Sequence, residues 1–147
     1  MSVITISRGS YTHGKVVAEK VAQKLGYGCI SREILLEVAN EYNVPEVKLL
    51  RSIRDAPAIS ERYTFARERY INFIRAAFLT QVVKDNVVYH GFAGQYFLKD
   101  APNVLKVRII ADMKYRIECM MQRETVSKKK AEQMVKDVDE ERRKWSQ

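Results

Sequence analysis

The residues that could do chemistry are concentrated near the start of the chain. Gly9-Ser10-Tyr11-Thr12-His13-Gly14-Lys15 fits the G-x-x-x-x-G-K spacing of a phosphate-binding loop. Such a loop wraps an anion with successive backbone N–H groups, aims a helix N-terminus at it and lets the lysine neutralise the outer phosphates. Gly9 and Gly14 suit it because the backbone must approach a phosphate closely, in conformations that a side chain would obstruct. The next residue is Val16, where the full motif has a Ser or Thr hydroxyl.

The motif has meaning only between a strand and a helix, and both can be read. Val3, Ile4 and Ile6 form a β-branched run before the loop, and Val17, Val21, Ala22 and Leu25 recur at helical spacing after it. A plain strand-to-helix turn is the competing reading of the same residues. Gly26 then reads as the helix stop and Tyr27 to Ile30 as a second strand, after which Ser31 caps a helix carrying Ile34, Leu35 and Val38. Asn43 and Pro45 break and restart the chain, Leu49, Leu50 and Ile53 carry a short helix to the break at Asp55-Ala56-Pro57, and a long helix runs from Ser60 to about Val83. Tyr63, Ala66, Tyr70, Phe73, Ala77 and Phe78 line one face of that helix. Residues 31 to 85 are therefore an all-helical insert, far longer than a crossover between parallel strands needs.

Val87 to His90 is the third strand, Ala93 to Lys99 a short helix and Val104 to Ile110 the fourth strand. The continuous run VLKVRII suits a sheet covered by helices on both faces. Asp112 and Ser127 cap two final helices, the second strongly charged. The fold class expected is α/β, in one domain of 147 residues.

Composition narrows the partners. With 46% hydrophobic and 30% charged residues the chain is ordinary globular material, and no apolar run approaches the roughly 20 residues of a membrane span. Without a signal-like N-terminus, a cytoplasmic location is expected. Cys29 and Cys119 match no metal or redox spacing, so free buried thiols are expected. The net charge of +8 favours an anionic partner, but Lys128-Lys129-Lys130 is the only basic run and no nucleic-acid motif accompanies it. A nucleotide is the better candidate than a nucleic acid.

In the order of these features the chain resembles the P-loop nucleoside monophosphate kinases, and in detail the cytidylate kinase-like family. The resemblance is carried by ITISRGSYTHGKVVAEKVAQKLGYGCISREIL, VVYHGFAGQYFLKDAPNVLKVRIIADMKYRI and SKKKAEQMVKDVDEERRKW, most of the chain apart from about residues 43 to 84. It implies a three-layer fold, a parallel sheet ordered second, third, first, fourth, an acceptor-binding helical insert and a lid-like hairpin at about residues 112–147. It implies transfer of the γ-phosphoryl group of ATP to a monophosphate such as CMP or dCMP, with Mg2+ as the usual companion. Lys15 would bridge the outer phosphates, and Arg32 would hold the acceptor phosphate as a bidentate fork. Arg116, Arg123 and Arg142 look like lid arginines, with Asp139 orienting them; pairing with nearby acids is the competing reading of each. Arg8 matches the family's serine-arginine entry to the loop and reads equally as structural or catalytic.

The departures bear on the metal and on catalysis. Val16 cannot ligate magnesium, and after the third strand, where many such enzymes carry a metal-orienting acid, this chain has His90 and Gly91. Weak protein ligation of Mg2+ is expected, the ion being held mainly by water and nucleotide oxygens. His90 is expected to be structural or phosphate-facing rather than a general base. A nucleotide-binding module with little catalysis is accordingly the second functional reading. Kinases of this type also place a fifth strand after the lid, and Lys136 to Gln147 has no β-branched run for one. The strand Val104 to Ile110 is then expected to be an open apolar edge prone to self-association, with a poorly held donor base.

Overall fold

The computed structural model describes residues 2–31, 33–54, 61–91 and 94–145. Arg32, the Asp55-Ala56-Pro57 break and Phe92 lie outside the described residues, as does the side chain of Tyr63. Strands β1 (Val3–Arg8), β2 (Gly28–Ile30), β3 (Val87–His90) and β4 (Val104–Ile109) form one sheet in the order β2-β3-β1-β4. All pairs are parallel, with Ile6 opposite His90 on one side and Val107 on the other. The α/β class, the parallel sheet and its order are those expected from the sequence.

Helix α1 (Gly14–Leu25) covers one face of the sheet, where Ala18 and Ala22 pack on Ile6 and Val88. The expected helical face was drawn through Val17, Val21, Ala22 and Leu25; Ala22 is buried and Val21 packs against this core, but Val17 and Leu25 are exposed. Small residues win because α1 lies close against the strands, leaving room for Gly14, Ala18 and Ala22 but not for a branched side chain. Gly26 ends α1 in the left-handed conformation, its φ of 68° being a glycine's natural ground, while the N–H of Tyr27 reaches back to the Ala22 carbonyl.

The other face is covered by α2 (Glu33–Glu41), α3 (Glu46–Arg54) and α4 (Glu61–Val82), the expected helical insert. Ile34, Leu35, Val38, Leu49, Ile74 and Phe78 form its core with Val3 and Tyr89 of the sheet. Ser31 does not cap α2 as expected: its N–H and hydroxyl both donate to the Glu33 carboxylate, at 2.8 and 3.0 Å. After the short α5 (Gly94–Phe97) and β4, helices α6 (Met113–Glu124) and α7 (Lys128–Trp145) make an antiparallel pair around Ile117, Met120, Ala131 and Val135. Ser127 caps α7 through the N–H of Lys130, whereas the Asp112 side chain makes no capping bond to α6.

Strand β4 is at the edge of the sheet, as expected, but departs from the reading of a run covered by helices on both faces. Leu105, Lys106 and Arg108 are exposed and only Val104, Val107 and Ile109 are partly covered. Among the described residues no helix is long and apolar enough to cross a membrane.

Candidate functional site

The sheet delivers β1 to the loop at residues 9–13, and α1 leaves it. Two of its side-chain-bearing residues take the left-handed conformation, Tyr11 at φ 56° and His13 at φ 53°. Backbone of this kind is costly for non-glycine residues and persists only where the surroundings enforce it. Thr12 helps to enforce it by donating its hydroxyl to the Gly9 carbonyl at 3.0 Å. His13 is the N-cap of α1 and offers no side-chain acceptor to the helix. The N–H groups of the first turn, which have no intrahelical partner, therefore stay uncapped. That is the arrangement that binds an anion.

The two glycines do different work from the one expected of them. Neither has a positive φ, and a Cβ on Gly14 would lie 2.6 Å from the Cβ of Arg8. Gly14 is small so that Arg8 can pass over it. A Cβ on Gly9 would meet the Thr12 methyl at 3.0 Å.

The loop opens on a cavity of about 840 Å3 whose wall includes Ser10, Tyr11, Thr12, His13, Lys15 and Val16. Arg8, Lys15, Arg123 and Arg142 line it with Glu118 as the one carboxylate, so the wall is strongly cationic. Lys15 is mostly exposed and rests 3.6 Å from Glu19, one helical turn on. Arg142 crosses from α7 to donate to the Arg8 carbonyl at 2.7 Å. Arg123 lies over the Tyr11 ring and 3.6 Å from Glu124, and the Tyr11 hydroxyl donates to Glu124 at 3.3 Å. Burial, and then the Glu124 charge, push the Tyr11 phenol above its ordinary pKa.

Arg116 behaves differently from the other two hairpin arginines. It is buried, forms a bidentate pair with Asp139 at 2.7 and 2.8 Å, and donates to the Ser10 carbonyl at 2.8 Å and hydroxyl at 3.0 Å. It is not among the residues that line the cavity. The structure thus brings Lys15, Arg123 and Arg142 together around the loop's open side and sets Arg116 and Asp139 behind it. Arg32 is the one site residue expected from the sequence that falls outside the described residues.

Four further residues of α6 face the cavity and were not anticipated: Tyr115, Glu118, Cys119 and Gln122. Their spacing of three and four marks a single helix face. Nothing local says that this face looks at the loop. Cys119 Sγ sits 3.9 Å from His13 Nε2, and a hydrogen bond with Cys119 pushes the Tyr115 phenol above its usual pKa. Both cysteines are free, but neither is buried as expected: Cys119 is half-buried at the cavity and Cys29, on the edge strand β2, is exposed.

His90, at the end of β3, is buried, and its Nδ1 has no hydrogen-bond partner among the described residues. Burial, then the Arg8 and Lys15 charges, lower its pKa despite Glu19 and Glu33. Its imidazole is held neutral. The residues present do not fit a directly ligated magnesium: Val16 has no hydroxyl, β3 ends in a histidine rather than an acid, and no group of three or more metal-ligating side chains occurs among the described residues.

These features define an α/β protein with a cation-lined cavity at its first strand-to-helix loop. The family model of the cytidylate kinase-like family matches residues 3–147, and the chain belongs to that family. No curated protein matches it. Among solved structures, an uncharacterized protein from Eubacterium ventriosum is 27% identical, with a TM-score of 0.64 over 97% of this chain and 73% of that one. TT1252 from Thermus thermophilus is 17% identical, with a TM-score of 0.47 over 88% of this chain and 76% of that one.

Proposed function

We propose that this protein transfers the γ-phosphoryl group of ATP to a nucleoside monophosphate of the CMP or dCMP type. The observation that carries the reading is the loop itself: an uncapped helix N-terminus opening on a cavity lined by Arg8, Lys15, Arg123 and Arg142. Phosphoryl transfer asks a protein chiefly for positioning and for charge stabilisation of the transferred group. The triphosphate would lie along the loop and the first turn of α1, with Lys15 at its outer phosphates. Arg123 and Arg142, carried on separate helices, would meet the charge that builds on the equatorial oxygens. The acceptor would enter from the side of the helical insert, which Arg32 precedes in sequence.

The second reading is a nucleotide-binding module with little catalysis. Val16 and the absence of an acid at the end of β3 favour it, since both remove protein help to a metal ion. One experiment separates the two: a coupled assay of ADP release against a panel of monophosphates, run beside calorimetric titration with ATP. Turnover with CMP or dCMP supports the kinase. ATP binding without turnover on any acceptor supports the module, and no binding of ATP overturns both.

A further inference from the structure

We infer that Arg116 and Asp139 are positioning residues that hold the phosphate-binding loop in shape from behind, and that Arg116 makes no contact with the phosphates. This rests on the reading of residues 9–15 as a phosphate site. The Arg116 guanidinium commits Nε to the Ser10 carbonyl, Nη1 to Asp139, and Nη2 to both the Ser10 hydroxyl and Asp139. Four of its five N–H directions are therefore taken. Its side chain is only 10% exposed, and it lies outside the cavity wall that Arg8, Lys15, Arg123 and Arg142 share.

What these bonds fix is the orientation of one peptide plane. In a trans peptide the carbonyl and the following N–H point in opposite directions. Drawing the Ser10 carbonyl toward Arg116 turns the N–H of Tyr11 the other way, to the side on which the cavity lies. The guanidinium also rests against Gly9, where an added Cβ would come within 3.7 Å of it. Asp139, on α7, sets the guanidinium's plane with a two-point grip that a single charge could not give. The hairpin thereby governs which way the loop's donors face.

The test turns on a sign. If Arg116 met the phosphates, Asp139→Asn would free it, remove a negative charge nearby and tighten ATP binding. If Arg116 positions the loop, Asp139→Asn loosens the grip and weakens ATP binding by about tenfold or more, although residue 139 lies outside the cavity. Arg116→Lys keeps the charge but not the fork, so it should weaken binding to a similar extent. ATP binding that tightens or stays unchanged in Asp139→Asn overturns the proposal. The nucleotide-free protein supplies a readout that does not need ATP. Amides of residues 10–13 should exchange hydrogen about tenfold faster in Asp139→Asn and Arg116→Lys than in the parent. Equal exchange overturns the positioning role even if ATP binds. Faster exchange in these variants, where the parent itself binds no ATP, would uphold the strut and sink the phosphate-site reading instead.

Discussion

Gly14→Ala puts the packing account of the loop at risk in a way that can be worked out from the structure. The added Cβ would lie 2.6 Å from the Cβ of Arg8, 2.7 Å from its Cδ and 3.2 Å from its Cγ. Arg8 cannot retreat easily, because it pairs with Ile109 in the parallel ladder and its carbonyl accepts the 2.7 Å bond from Arg142. Forcing a methyl into such a contact costs about 1–3 kcal/mol. The better helix propensity of alanine returns part of that, at most about 1 kcal/mol. A net loss of about 1–2 kcal/mol corresponds to a fall in Tm of roughly 3–8 °C for a chain of this size. Differential scanning calorimetry of Gly14→Ala would measure it. The decisive comparison is the same substitution in an Arg8→Gly background, which removes all three obstructing atoms. There Gly14→Ala should be neutral or slightly stabilising. An equal loss in both backgrounds would refute the reasoning, and would return Gly14 to the role of letting a phosphate come close.

The remaining predictions concern charge, metal, pH and assembly. Lys15→Ala should weaken ATP binding by about 1.5–3 kcal/mol, with Tm little changed because the side chain is mostly exposed; ATP affinity equal to the parent's in a titration would sink the loop assignment. Val16→Thr restores a hydroxyl at the metal position, so Mg2+ should strengthen ATP binding about threefold more in this variant than in the parent; identical titrations with and without Mg2+ would argue against that placement. His90 has a pKa below the ordinary 6.5, so the unfolded chain binds more protons in that window and stability falls as pH drops below 6.5. Its contribution is complete above 6.5, and His90→Gln should flatten the dependence of Tm on pH in the acid range; an unchanged profile would contradict it. Finally, β4 is an edge strand with Leu105 and Ile110 exposed. Self-association through it should appear in sedimentation and be weakened by Leu105→Lys with Ile110→Lys; a parent that stays monomeric at high concentration refutes this.

What could be read in advance was whatever the chain writes as local pattern. The strand, loop and helix at residues 3–25, the helical insert and the strand order follow from periodicity, glycines and the family resemblance. The buried face of α1 was only half read, at Val21 and Ala22, because larger apolar residues such as Val17 and Leu25 are the stronger signal, whereas close approach to a sheet selects Gly14 and Ala18 as well. The edge position of β4 was read correctly from the expected strand order; what was misjudged is the covering of both its faces, because a continuous apolar run does not say which helices reach it, and Leu105 is exposed. The cavity face of α6, from Tyr115 to Gln122, depends on how a hairpin about 100 residues distant in sequence docks on the loop. No local pattern encodes that. The split among the arginines is of the same kind: Arg116, Arg123 and Arg142 look alike as sequence, and only the position of Asp139 separates the buried one from the two at the cavity.

This separation changes how closure over a nucleotide must work. A lid that swings freely would make few bonds to the loop it closes over. Here the α6–α7 hairpin is tied to the loop through Arg116 to Ser10, Arg142 to the Arg8 carbonyl and Glu124 to Tyr11. Swinging it away would uncover the buried Arg116, with Asp139 moving along with it, and leave the Ser10 carbonyl without its partner. Losing hydrogen bonds from a charged donor of this kind costs about 1.5–3 kcal/mol each. By contrast, the hydrogen bonds described for the side chains of α2 and α4 run within the insert, as from Gln81 to Glu37, and none reaches the loop. Packing on the sheet through Val3 and Tyr89 holds the insert at its base, and its helix α3 packs against α7. Any opening of the hairpin must break the Arg116 and Arg142 bonds to the loop, so the hairpin is better described as a wall that sets the loop than as a gate.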